Sequence, residues 1–156
     1  MRGGKVPSET ETIVMEIFLS GGGYLEVRLT NLFLIEVCQP FLDFIDFFES
    51  RKVRCHLRHP KIAILLADHM NRFVEENTAL LAPKELVKVD LGDQNLLPRT
   101  KVVVGVGVKR LLKDSGLTVD SPEVRPFMES VYRFYKKSTS SLIKYFTTPL
   151  NSRILR

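Results

Sequence analysis

The longest apolar run of the chain, Asn31–Phe48, carries a few polar residues at helical spacing. Those that form one stripe, three or four residues apart, are Glu36, Gln39, Asp43 and Asp46. The other sides of such a helix are apolar, a pattern typical of a helix buried within a helical domain. Pro40 cannot bond back to the carbonyl of Glu36. The first helix, predicted over Leu25–Gln39, therefore bends at Pro40 or ends before a second helix.

Helical spacing recurs in three later segments. The His59-Pro60 pair resembles a helix entry, and an i, i+3, i+4, i+7 pattern continues through about Glu76. Its apolar stripe comprises Ile62, Leu65, Leu66, His69, Met70 and Phe73. Lys109–Ser115 predicts a short helix closed by Gly116, a residue that favours the left-handed cap. Ser121-Pro122-Glu123 predicts the start of a last helix, which Pro149 would close. Ser138–Ser141 is poor helix material, so fraying or bending is expected there.

Between the helix that ends near Glu76 and the short helix Lys109–Ser115, the period changes to two. Val87, Val89 and Leu91 alternate with polar residues, and Lys101–Val106 is rich in β-branched residues. Turn-forming residues lie between the two runs. The pattern predicts a small β-hairpin over residues 86–106.

Together these elements predict a mainly α fold: one irregular helical domain with a small β-hairpin. A chain of 156 residues has the usual size of one domain. The domain is expected over residues 24–156. Residues 1–23 are expected to form a flexible N-terminal tail, with Gly21–Gly23 as its joint and Ile13–Leu19 as a short apolar segment.

Positive charge is concentrated late in the chain. The net charge of +5 permits a polyanionic partner without requiring one, and no acid follows Glu129. On the last predicted helix the cations lie opposite the apolar positions, with Tyr132 and Tyr135 close enough to stack on bases. A second basic segment precedes the His59-Pro60 pair. The expected nucleic-acid contacts are Arg133, Lys136, Lys137, Lys144, Arg51, Lys52, Arg54 and Arg58. The alternative is a solvated face whose cations favour a helix C-terminus.

Other candidate sites have weaker support. Cys55, His56 and His59 lie close together but lack the paired spacings of a four-ligand zinc site. Gly105 and Gly107 form a Gly-x-Gly, yet Arg110 stands where a dinucleotide fingerprint needs a third glycine. The acidic stripe is better explained by solvation, or by ion pairing with the basic helix, than by a metal. His69 is expected in the core with one hydrogen bond. No cofactor, metal or small-molecule substrate is expected.

The expected location is intracellular. Two cysteines in a chain of this length do not form a disulfide framework and favour a reduced compartment. Three acids and Pro40 argue against insertion of Asn31–Phe48 into a membrane.

The order of several phrases resembles one stretch of hAT-type (hobo/Ac/Tam3) transposase-derived proteins. The phrases are LFLIEVCQPFLDFIDFF, ILLADHMNRFVEENTALL, KVDLGDQN, VGVGVKRLLK and RFYKK followed by PLNSRIL. The resemblance covers roughly residues 25–156. It implies the helical insertion that interrupts an RNase-H-like catalytic domain, whose metal-binding acids lie outside the insertion. None of those acids is assigned to a residue of this sequence.

The resemblance therefore implies a non-catalytic helical module that contacts nucleic acid through a basic helix face, with a nuclear location. The alternative is a protein-interaction or oligomerisation module, with a second copy or another protein as partner. An enzyme is not expected, because no clustered acids or recognisable nucleophile stand out in the sequence.

Overall fold

A computed structural model describes residues 21–49, 55–75 and 78–147. Five α-helices follow one another in this part of the chain: α1 (Gly21–Glu49), α2 (Arg58–Met70), α3 (Pro83–Leu86), α4 (Val106–Asp114) and α5 (Arg125–Thr147). Short 3-10 turns precede or separate them at Cys55–Leu57, Thr78–Leu80, Asp93–Asn95 and Pro122–Val124. The predicted mainly α fold is confirmed.

The core forms where α1, α2, α4 and α5 meet. Leu29, Phe33 and Val37 project from α1 at intervals of four residues and are buried. The ring of Phe33 stands edge-on to Phe127 and Tyr135 of α5, with centroids 6.1 and 5.6 Å away. Such edge-to-face pairs stabilise a core beyond the area that they bury. The apolar stripe of α1 therefore fixes α5 in the centre of the fold.

The helix α1 is continuous across Pro40. Of the two alternatives at this proline, a single helix with an internal proline is the one observed. The helix also begins at Gly21, so the expected flexible joint at Gly21–Gly23 is wrong. Glycine lowers helix propensity without forbidding the helical conformation. Residues 1–20, including most of the predicted tail and the Ile13–Leu19 segment, lie outside the described residues.

The helix α2 ends at Met70, earlier than the predicted end near Glu76. The backbone then turns and pairs with a later segment instead. The N–H of Leu97 donates to the carbonyl of Phe73 at 2.9 Å, and that of Val103 donates to the carbonyl of Arg72 at 2.9 Å. These long-range bonds replace the helical bonds that the apolar pattern predicted.

The β-hairpin expected over residues 86–106 does not form. Leu86 closes the one-turn helix α3, and a single antiparallel bridge, Val74–Leu96, is the sheet pairing in the described residues. The carboxylate of Asp90 holds the intervening turn by accepting the N–H of Gly92 at 2.8 Å. Val102 and Val104 are buried while Val103 is exposed. The period of two thus reflects an extended segment lying on the core, not a ladder of paired strands.

The predicted end of α4 is confirmed, and so is the predicted helix start near Ser121, whereas Pro149, the predicted end of the last helix, lies outside the described residues. Gly116 follows α4 in the left-handed conformation, with φ +66°. Its N–H bonds to the carbonyl of Lys113, and that of Leu117 bonds to the carbonyl of Leu112, which together make a Schellman cap. Ser121 and Pro122 start a 3-10 turn that leads into α5. In the described ranges, no helix combines the length and apolar character needed to cross a membrane.

Candidate nucleic-acid interface

The solvent side of α5 carries a straight row of polar and basic residues. Arg133, Lys137, Ser140 and Lys144 follow an i, i+4, i+7, i+11 spacing and are all exposed. At 1.5 Å of rise per residue this row, the basic stripe, is about 16 Å long. The opposite side of α5 is buried through Phe127 and Val131. The amphipathic division of this helix is therefore as predicted.

Beside the stripe, α5 and the segment 93–99 enclose a surface cavity of about 590 Å³, the basic groove. Four of its lining residues are cationic and two are acidic, so the groove carries a net positive charge. The lining comprises Asp93, Leu96, Leu97, Pro98, Arg99, Glu129, Tyr132, Arg133, Lys136 and Lys137. Three predicted contacts, Arg133, Lys136 and Lys137, are thus brought together in one place.

Tyr132 lines the groove and ties α5 to the facing segment. Its hydroxyl donates a hydrogen bond to the carbonyl of Leu97 at 2.6 Å. Burial raises the pKa of this hydroxyl, and the nearby Arg99 opposes that effect. The tyrosine therefore stays neutral, and its hydrogen bond holds the loop that carries Pro98 and Arg99 against α5.

An ion pair between Lys136 and Asp93 spans one side of the groove. Asp93 projects from the 3-10 turn Asp93–Asn95 with its side chain 91% exposed. An exposed pair of this kind contributes little to stability, but it places a carboxylate where a phosphate would otherwise approach Lys136. Of the three cations that α5 contributes to the groove, Lys136 is the one with an ion pair to another described residue.

Tyr135 does not take the stacking role predicted for it. The side chain is fully buried, stacks on Phe73 at 5.0 Å and donates to the carbonyl of Val103 at 2.6 Å. Burial raises the pKa of this hydroxyl to about 12. The prediction was wrong because Tyr135 lies one helical turn after Val131, on the side of α5 that faces the core.

The second predicted basic segment is described only in part. Arg51, Lys52 and Arg54 lie outside the described residues. Arg58 is the first residue of α2 and is half-buried. The neighbouring His59 ring contacts Phe146 at 5.3 Å, which places the start of α2 at the end of α5 that bears Lys144. The sequence did not indicate Arg99, because a single arginine in a loop belongs to no periodic pattern.

The space beside the Gly-x-Gly segment is occupied by a side chain of the protein itself, that of Glu36. The Oε1 atom of Glu36 accepts the N–H of Val106 at 2.9 Å, at the N-terminus of α4. Gly105 has φ +97°, and a Cβ there would lie 1.6 Å from Oε2 of Glu36. A carboxylate of the protein thus takes the position that an anionic ligand would take at a helix N-terminus. The tight backbone path expected from Gly105 and Gly107 is confirmed.

Two other candidate residues, His69 and Gln39, form contacts within the fold. His69 is buried and contacts Oγ of Ser138 at 2.6 Å, as expected of a core histidine. Burial lowers its pKa to about 4, with the charge of Arg72 acting in the same direction. Gln39 of the acidic stripe donates to Asp43 within α1 at 2.8 Å. Among the residues that the structure describes, no three His, Cys, Asp or Glu side chains cluster as a metal site would.

Comparison with known proteins gives no relative: no family model, no curated protein and no solved structure matches this chain. The resemblance to hAT-type transposases therefore stays a prediction from the sequence. Two of the phrases that carry it meet in the structure. KVDLGDQN contributes Asp93 to the basic groove, and RFYKK contributes Arg133, Lys136 and Lys137.

Proposed function

We propose that this chain is a non-catalytic helical module, derived from an hAT-type transposase, that contacts nucleic acid through α5. The basic groove is the observation that carries the proposal. It places Arg99, Arg133 and Lys137 around the ring of Tyr132, in a lining whose net charge is positive. Guanidinium and ammonium groups neutralise phosphates and release their counterions, which drives association with any polynucleotide. A nuclear location accompanies this proposal.

The basic stripe extends the same surface. Arg133 and Lys137 belong to both features, and Lys144 lies two helical turns beyond Lys137. A row of about 16 Å is long enough to follow several consecutive phosphates, which lie about 3.4 Å apart along the axis of one strand. In this proposal the basic stripe orients the sugar-phosphate backbone of the nucleic acid, and part of that backbone enters the basic groove.

The test is DNA binding by two variants that lose the same charge. Arg133→Glu combined with Lys137→Glu reverses two cations of the groove and stripe. Lys109→Glu combined with Lys113→Glu makes the same change on exposed residues of α4, outside the groove. We expect the first variant to bind a labelled 20-base-pair duplex at least 10-fold more weakly than the second at low salt.

Fluorescence anisotropy measures both affinities, with circular dichroism to verify that each variant is folded. Equal weakening by the two variants would mean that net charge alone drives binding and that α5 is no interface. Absence of binding by the unchanged protein at about 50 mM salt, where electrostatic contacts are strongest, would also reject the proposal.

A second candidate function is protein interaction, supported by exposed apolar residues on α1 and α2. Ile35, Leu42 and Ile64 are 69%, 50% and 64% exposed. Exposed apolar surface of this kind marks an interaction site when it is contiguous. Light scattering over a concentration series tests whether this surface mediates self-association. A dimer supports the interaction module, and a monomer at every concentration counts against self-association.

A further inference from the structure

The basic groove has an apolar floor that a surface made only for phosphates would not need. Leu97, Pro98 and the ring of Tyr132 line it between the cations. A flat positive surface is sufficient to bind the outside of a duplex, because only phosphates and sugars face outward there. Apolar residues within a concave basic surface point to a ligand that is itself part anion and part exposed ring.

The size of the groove agrees with such a ligand. Its volume of about 590 Å³ lies within the range of roughly 300–1,000 Å³ that is typical of sites for small molecules and cofactors. A nucleoside unit belongs to that size class, whereas a duplex is too wide to enter and would touch only the rim.

The ring of Tyr132 can stack on a base but is not placed to recognise which base it is. Its hydroxyl is already used in the hydrogen bond to the carbonyl of Leu97, so the phenol end has no free donor for a base. The aromatic ring and the neighbouring Pro98 offer apolar surface to any base, since every base has a π-face. The contact would therefore tolerate different sequences.

Cations stand on both sides of this floor. Arg99 projects from the loop after Pro98, while Arg133 and Lys137 project from α5 across the groove. A strand lying along the groove has phosphates before and after each base, within reach of the two sides. Glu129 and Asp93 also line the groove, and their charges repel the dense charge of a duplex more than that of a single strand.

We infer that the basic groove binds single-stranded nucleic acid, with an unpaired base on Leu97, Pro98 and Tyr132 and its flanking phosphates on Arg99, Arg133 and Lys137. This inference rests on the proposed function and names its ligand class. The arrangement of an aromatic platform within an electropositive channel is the general solution for single strands.

The experiment compares a labelled 16-nucleotide strand of mixed sequence with the same strand in a duplex, at equal salt. We expect the single strand to bind the unchanged protein about 10-fold more tightly. Tyr132→Ala should weaken single-strand binding about 10-fold and duplex binding by about 2-fold at most, because only the single strand loses stacking, whereas release of the Arg99 loop affects both ligands. Tyr132→Phe, which keeps the ring, should retain most of the affinity.

A second measurement does not depend on a variant. A strand carrying 5-bromouracil is irradiated in complex with the unchanged protein, and mass spectrometry locates the cross-link. Cross-linking within the peptide that contains Tyr132 or the one that contains Leu97 and Pro98 supports the inference. Cross-links confined to other parts of the chain would overturn it.

The failures of the inference and of the proposed function are distinguishable. Duplex binding as tight as single-strand binding, still weakened by Arg133→Glu with Lys137→Glu, overturns the single-strand inference and leaves the proposed function standing. Equal loss of both ligands in folded Tyr132→Ala also overturns the inference. If neither nucleic acid binds and poly-glutamate does, the groove is a site for an acidic peptide and both proposals are wrong.

Discussion

At position 105 the absence of a side chain decides whether an acid of α1 can reach the start of α4. Gly105 combines a left-handed φ of +97° with a space that the Glu36 carboxylate fills. That carboxylate accepts the N–H of Val106, while its Oε2 atom is buried with no hydrogen-bond partner in the described structure. The sequence showed a Gly-x-Gly, but not that a residue 69 positions earlier would occupy it.

Gly105→Ala should destabilise the protein by roughly 3 kcal/mol, because φ 97° with ψ 159° is a backbone region essentially restricted to glycine and because the Glu36 cap is lost. Gly116→Ala is the matched control. Gly116 also has a positive φ, but nothing lies within 4 Å of the place where its Cβ would be. The control should cost only about 1–2 kcal/mol. Urea unfolding followed by circular dichroism gives both values, and equal costs would contradict the role of Glu36.

His69 makes stability depend on pH in the acid range. Its pKa is lowered from 6.5 to about 4 by burial, with Arg72 adding to the effect and Asp68 opposing it. Because the folded pKa is below the unfolded one, the unfolded chain takes up the proton first as the pH falls. The stability contributed by neutral His69 is complete above about pH 6.5 and is lost towards pH 4.

We expect the free energy of unfolding to fall by up to roughly 3 kcal/mol between pH 6.5 and pH 4 because of this residue. His69→Gln removes the titration, so its curve of unfolding free energy against pH should be flatter over this window. Carboxylates titrate in both proteins and cancel in the difference. Parallel curves for the two proteins would show that His69 titrates as freely as in the unfolded chain.

At the scale of the element, α5 joins the core to the candidate interface. Its serine cluster does not fray the helix, which continues through Thr147. The hydroxyl of Ser138 donates to the carbonyl of Phe134 at 2.7 Å, and that of Ser140 donates to the carbonyl of Lys136 at 2.9 Å. Such bonds to the preceding turn slightly destabilise a helix, so the continuity of α5 here is better explained by the burial of Val131, Tyr135 and Thr139 on its inner side.

Ser138 has a second role, because its oxygen also contacts Nε2 of His69. With the Ser138 proton directed to Phe134, the N–H of His69 is the donor in this contact. Ser138→Ala leaves that buried donor without a partner and should cost about 1–3 kcal/mol. Ser140→Ala removes the same kind of helix bond at an exposed position and should change stability by less than about 0.5 kcal/mol. Thermal unfolding compares the two, and similar values would contradict the account of His69.

Helical periodicity predicted the elements better than it predicted their pairing. The burial of Phe33, Val37 and Phe127 follows from spacing alone, as does the left-handed cap at Gly116. The early end of α2 and the absence of the hairpin depend on hydrogen bonds between segments far apart in sequence, such as Leu97 to Phe73. The periodicity of apolar residues cannot reveal such bonds, because an extended segment that lies on a core shows the same alternation as a paired strand.

At the scale of the whole molecule, the candidate site was half predictable. The cations of α5 lie on its outer side as their spacing required. The groove depends on the fold, because Arg99 and Pro98 come from a loop more than thirty residues before the α5 cations. Backbone bonds such as that from Leu97 to Phe73, together with the hydroxyl of Tyr132, place this loop beside α5. The same fold removed Tyr135 from the site by placing it in the core. Which residues face a ligand is therefore a property of packing, not of composition.

The central claim is that a defined set of α5 cations and Arg99 neutralises phosphates, and the salt dependence of nucleic-acid binding tests it most directly. For about four contacts, log affinity should fall by roughly 3 for each log unit of salt. Arg133→Glu with Lys137→Glu should reduce that slope by about 1.4–1.8, whereas Lys109→Glu with Lys113→Glu should leave it unchanged. An identical slope in the unchanged protein and both variants would show that α5 does not contact the phosphates.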